Sequence, residues 1–210
     1  MNTPKPAQNV VVLVSPPAAV DILRKIFASL PTNFPAAIII LLHTSQERQR
    51  PVADNLNTSS AVMVVGGCDG MMLEEGKAHV LTTEQNLIVG GDKSLVPAFG
   101  RDADSDAYLL RNDQELPEGA PERILDSVAL RYGKCAVAVA LTLLDKREAS
   151  GFRKIREMGG QTIALDESDF LWTSPPEPRV VAAEADEVLP AAQIGKRMLE
   201  MLTAAGPANV

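Results

Sequence analysis

NVVVLVSPPAAVD, residues 9–21, passes from an apolar, mostly β-branched run into two prolines and then into a helical pattern. The run 10–14 has the continuous apolar character of a strand buried on both faces. Behind the prolines, Val20, Leu23, Phe27 and Leu30 recur at spacings of 3, 4 and 3, which is one face of a helix. Ser15 followed by Pro16 suits the N-cap and first position of that helix, and Leu30-Pro31 stops it. A strand that hands over to a helix in this way opens an α/β unit. Ligands and catalytic groups of such units gather at the carboxyl ends of the strands. Pro16 and Pro17, however, have no N–H to offer a substrate.

The same rhythm continues along the chain. Residues 36–42 read as a second buried strand with His43 at its end, and 45–57 as a polar helix carrying Val52 and Leu56 inward. Residues 61–65 read as a third strand closed by Gly66-Gly67. The segments 77–81 and 86–89, joined by the short link 82–85, read as an antiparallel hairpin. Residues 90–119 are acidic and poor in apolar side chains, and are expected to form a long surface excursion. From Pro121 the α/β pattern resumes, with a helix lined by Ile124, Leu125, Val128, Ala129 and Tyr132 and a strongly apolar strand at 135–142. A loop at 143–150 leads to a helix carrying Phe152, Ile155 and Met158, ended by Gly159-Gly160, and to a short strand at 162–165. An irregular loop at 166–178 bears Trp172, residues 188–189 read as a last strand, and 190–202 as a final helix. Together these elements predict a single three-layer α/β/α domain over 9–203, between polar tails at 1–8 and 204–210. Its sheet is expected to be mostly parallel and doubly wound, with the antiparallel hairpin attached.

A chain of 210 residues can bury a substantial core. The net charge of −7 and pI near 4.9 argue against nucleic-acid binding, and no basic run contradicts this. The start MNTPKPAQN lacks the layout of a signal peptide, and no apolar run approaches the ~18 residues of a spanning helix, so no membrane insertion and a cytoplasmic location are expected. Cys68 and Cys135 lack metal-ligand spacing and suit reduced, buried thiols. No phosphate-binding glycine loop, carboxylate pair or metal cluster stands out, so neither cofactor nor metal is expected.

Three loops at strand ends, 15–19, 43–46 and 143–150, offer Ser15, His43 and Asp145. Those residue types could form a triad in which the histidine takes the serine proton and the carboxylate orients the histidine. His79 lies inside the expected hairpin strand and reads as a structural or surface residue.

Several longer stretches carry a specific resemblance: FASLP at 27–31, the strand ending in His43, ADNLN at 53–57, DGMMLEEGKAHV at 69–80, DSVALRYGKCAVAVALT at 126–142 and GFRKIREMGGQTIALDES at 151–168. In order and spacing the chain resembles the catalytic domain of the chemotaxis methylesterase CheB over roughly residues 10–202. The resemblance implies the three-layer fold and a family activity of hydrolysing glutamyl methyl esters on chemoreceptors, often with deamidation of glutamines. Family members usually carry a regulatory receiver domain before the esterase. This chain starts directly at the esterase strand and is expected to work without that switch.

The family's reactive residues transfer poorly. Aligned without gaps, the family's G-A-S-x-G-G motif puts Ser15 on the alanine, Pro16 on the nucleophile and Ala18-Ala19 on the glycines, while His43 falls on the catalytic histidine. Against the family's LTGMG-x-DG loop stands LTLLDKRE at 141–148. Arg147 therefore occupies the aspartate position, Leu143 and Asp145 the glycines, and Leu144 the methionine whose backbone helps hold the oxyanion. The loop LTTEQN at 81–86 and the segment TSPP at 173–176 also depart from the family pattern. Losing one oxyanion donor typically costs ~10²–10³-fold in rate. Arg147 placed beside His43 would also oppose an imidazolium. The resemblance thus implies a degenerate, non-enzymatic member acting by contact with a chemoreceptor or another chemosensory protein. The excursion 101–119 and the loop 166–178 are its candidate contact surfaces. Two alternatives stay open. A one-residue slip would let Ser15, His43 and Asp145 serve an active methylesterase, deamidase or other serine hydrolase. A small-molecule sensor would instead bind in the crevice where strand order reverses.

Overall fold

The computed structural model describes residues 6–85, 87–90, 95–97, 121–142, 144–169 and 185–204. Its strands, in chain order, are β1 (Val10–Ser15), β2 (Ala37–Leu42), β3 (Met63–Gly66), β4 (Lys77–Thr82), β5 (Leu87–Val89), β6 (Leu95–Pro97), β7 (Ala136–Ala140), β8 (Gln161–Leu165) and β9 (Glu187–Leu189). The helices are α1 (Val20–Ala28), α2 (Gln49–Asn57), α3 (Pro121–Tyr132), α4 (Lys146–Glu157) and α5 (Ala191–Ala204). Seven strands form one sheet in the order β3-β4-β2-β1-β7-β8-β9, and every pairing in it is parallel. β2, β4 and β3 lie on one side of β1, with β3 at the edge and β4 inserted between it and β2, and β7, β8 and β9 lie on the other, so strand order reverses between β1 and β7.

Strand alternation splits the apolar side chains into two cores. Val11, Leu13, Ile38, Ile40, Val137, Val139 and Ile163 meet α1, α2 and α5 on one face. Val10, Val12, Val14, Ile39, Leu41 and the small residues Ala136, Ala138, Ala140 and Ala164 meet α3 and α4 on the other. Continuous apolar runs are what a parallel sheet covered by helices on both faces requires. The helices also touch closely through glycine. A Cβ on Gly151 of α4 would lie 2.6 Å from Leu125 Cβ of α3, and one on Gly195 of α5 would lie 3.0 Å from the Ile26 carbonyl oxygen of α1.

An antiparallel hairpin is present as a separate two-stranded sheet, but its strands are not those expected. β4 lies inside the parallel sheet between β2 and β3, and β5 pairs with β6 instead. The link after β4 does turn, with Gln85 N–H donating to Thr82 O at 3.0 Å. It then carries the chain off the sheet toward α3, where Val89 N–H donates to Ser127 Oγ at 2.9 Å. Tight links and hairpin turns share a chemistry, so the link alone does not reveal which way the chain leaves. Burial along β4 is the better signal, since nearly all of it is enclosed.

The expected capping of α1 by Ser15 is also overturned. A short 3-10 turn, Pro17–Ala19, precedes α1, and neither it nor α1 has a side-chain cap. Near the start of the chain, Pro6 forms an isolated bridge with Glu74 and Ala7 is fully enclosed, so the loose tail expected over 1–8 does not extend to them. The excursion 101–119, Trp172 and residues 170–178 lie outside the described residues.

Candidate functional site

β1, β2 and β7 end side by side. His43 N–H donates to Ser15 O at 3.1 Å, and Leu141 N–H donates to Val14 O at 2.8 Å. The turn after β4 joins them, because Thr83 N–H donates to Leu42 O at 3.0 Å. The loops bearing Ser15, His43 and Asp145 therefore converge at the carboxyl edge of the sheet.

Ser15 is fully buried, and its hydroxyl donates to the Pro16 carbonyl at 3.1 Å. The same carbonyl accepts from Ala19 N–H at 3.1 Å, closing the 3-10 turn. The serine hydroxyl is thus turned into its own backbone and makes no hydrogen bond to His43. Pro16 is buried behind it, Pro17 and Ala18 face solvent, and the two prolines have no N–H to offer.

His43 has a different partner from any of those expected. Its Nε2 lies 2.5 Å from Glu148 Oε1. The Glu148 side chain is only 2% exposed, against 30% for that of His43. Glu148 is the third residue of a capping box on α4. Asp145 Oδ1 accepts from Arg147 N–H at 2.8 Å and from Glu148 N–H at 2.9 Å, while Glu148 Oε2 accepts from Asp145 N–H at 3.0 Å. Both carboxylate oxygens of Glu148 are engaged, which makes its near-complete burial tolerable. The hydrogen bond to Glu148 raises the His43 pKa above its ordinary 6.5. The charges of Glu148 and Asp145 add to this, and partial burial opposes it.

Asp145 is therefore the N-cap of α4 and not the carboxylate on the histidine. Arg147, expected to oppose an imidazolium, instead turns toward Glu122 of α3, with Nη1 3.9 Å from Oε1. Glu148 was missed because it follows the position matched to the family's aspartate. The D-x-x-E spacing of 145–148 was the available signal, since a capping box folds its glutamate back toward the preceding loop.

The neighbouring loops are tied down as well. Gln46 N–H donates to Glu84 Oε2 at 2.8 Å, and the Gln49 amide donates to Gly67 O, Val80 O and Gln85 Oε1 at 2.6–2.9 Å. Chemically, the site holds an imidazole braced by a buried carboxylate, and the hydroxyl of Ser15 is engaged by the Pro16 carbonyl. Among the described residues no cluster of His, Cys, Asp or Glu could hold a metal ion, and no described helix is long and apolar enough to cross a membrane.

A model of the family described as CheB methylesterase matches residues 11–198. A protein-glutamate methylesterase/protein-glutamine glutaminase of Moorella thermoacetica is 29% identical over 184 residues, which cover 88% of this chain and 42% of that protein. The protein-glutamate methylesterase FrzG of Myxococcus xanthus is 29% identical over 189 residues, covering 90% of this chain and 52% of that one. The chain spans about half the length of the curated relatives it matches. The CheB methylesterase catalytic domain of Thermotoga maritima superposes with a TM-score of 0.74 over 92% of this chain and 98% of that one. At 24% identity this likeness establishes the fold.

Proposed function

The chain belongs to the CheB methylesterase family, and we propose that it is a degenerate member that works by protein contact in chemosensory signalling rather than by serine hydrolysis. The observation that carries this reading is the state of Ser15, enclosed in β1 with its hydroxyl given to the Pro16 carbonyl. Pro16 itself stands where the resemblance puts the nucleophile, and a proline offers neither a hydroxyl nor an N–H. Serine catalysis needs the hydroxyl within about 2.6–3.2 Å of its base, with amide donors around the developing oxyanion. Here the hydroxyl is spent and the prolines remove donors.

A fold that keeps its sheet edge ordered without a nucleophile can still present that edge to the protein its relatives modify. The partner proposed is the cytoplasmic part of a chemoreceptor. A second reading, an active hydrolase, draws on one observation, the carboxylate-braced His43. Under it Glu148, not Asp145, would orient the base.

The test is titration of the full chain against a receptor cytoplasmic fragment by calorimetry, in methylated and unmethylated forms. The reading predicts saturable binding that leaves the receptor's methylation unchanged. Absence of binding to either form would overturn the receptor as partner.

A further inference from the structure

We propose that the contact between His43 and Glu148 is a pH-dependent latch. It pins the first turn of α4 to the ends of β1 and β2 and so fixes the shape of the carboxyl edge. The proposal rests on the contact reading above, and it assigns regulation to that same edge.

Glu148 sits at a junction of three structural units. Through Oε1 it holds the imidazole that follows β2, through Oε2 it closes the capping box of α4, and the His43 backbone is bonded in turn to the end of β1. A carboxylate that is almost wholly buried depends on its hydrogen-bond donors for the solvation it has lost. One of those donors titrates. With the imidazole protonated, the contact is a charge-assisted bond between opposite charges; with it neutral, it is an ordinary hydrogen bond to a buried anion.

The other charged groups around His43 do not replace it. Asp145 favours the protonated imidazole as Glu148 does, but its Oδ1 is engaged by the α4 amides. Glu84, from the turn after β4, caps Gln46 N–H, and Arg147 is directed to Glu122 on α3. The end of β1 contributes only Ser15, Pro16 and Pro17, which carry no charge. The latch therefore depends on one proton on one ring. It is closed below the ordinary histidine range and loosens as pH rises through the elevated pKa of His43.

The test uses the full chain and two conservative variants, His43→Gln and Glu148→Gln. The first keeps a donor that does not titrate; the second keeps a capping-box residue without the charge. Amide-exchange protection of residues 145–149 is followed from about pH 5.5 to 8.5, with the His43 ring resonances titrated alongside. In the wild type, protection factors are expected to fall by about fivefold across the upper part of that range, the difference between a charge-assisted and a neutral hydrogen bond. In both variants protection is flat, and in Glu148→Gln the His43 titration moves to lower pH. Wild-type protection that does not change with pH, or a His43 titration indifferent to Glu148→Gln, would overturn the latch. Receptor titration at both ends of the range separates this result from the contact reading. If protection follows pH while no receptor binds, the latch stands and the contact reading fails.

Discussion

His43 and His79, the chain's two histidines, sit in opposite electrostatic settings. His79 is 1% exposed on β4, between Ile39 and Val65 in register, with both ring nitrogens unpaired. Burial, with help from Lys77 and against Glu74, lowers its pKa from 6.5 to about 4. Its folded pKa lies below the unfolded value, so the unfolded chain takes up the proton first. Stability is therefore lost as pH falls from about 6.5 toward 4, by about 3 kcal/mol in all. His43 runs the other way. Its folded pKa is raised, so its contribution is complete below 6.5 and is lost as pH rises through the elevated value. Urea unfolding across pH should show both slopes. His79→Leu should remove the acid-side slope and add about 1–3 kcal/mol at neutral pH by deleting unpaired buried nitrogens, while His43→Gln should remove only the alkaline-side slope. An acid-side slope unchanged in His79→Leu would contradict the assignment. None of this was legible from the sequence, where His79 looked like one residue of a hairpin strand. Its setting depends on β4 being enclosed by parallel neighbours on both sides.

Helix and strand identities were readable because the apolar periods were clean, but the distances between elements were not. Gly151 looked like any helical residue after a loop, yet it is where α4 meets Leu125 of α3. Gly195 likewise lets α5 lie against α1. Gly151→Ala and Gly195→Ala should each destabilise by about 1–3 kcal/mol in thermal or urea unfolding, despite alanine's better helix propensity. A gain in stability from either would mean that the helices have room to part. The observed hairpin differs from the expected one for a related reason. Local turn residues specify a reversal but not the sheet that the next strand joins, and β5 is drawn to α3 by contacts distant in sequence. The edge of the sheet shows another device invisible in sequence. Asn57 of α2 donates to Val64 O at 2.7 Å and accepts from Val64 N–H at 2.9 Å, standing in for a further strand beside β3. Glu148 lies between legible and hidden, because its capping-box spacing can be read in the sequence while its bond to His43 requires the fold.

For the molecule as a whole, the family's fold extends across most of the chain. On the proposed reading, the two halves of a serine site are separate. His43 has a carboxylate partner, Glu148, in the cap of α4, whereas Ser15 is folded into β1 and followed by prolines. A sheet edge whose loops are held in place by such contacts suits the surface for recognition that the proposal assigns to it. The measurement that separates recognition from turnover is methanol release from a methylated chemoreceptor fragment, run with the wild type, Ser15→Ala and His43→Gln. No release above the buffer blank from any of the three is the predicted result. Release by the wild type that Ser15→Ala abolishes would show that the buried hydroxyl reaches substrate, and would contradict the proposal that this domain has left serine hydrolysis behind.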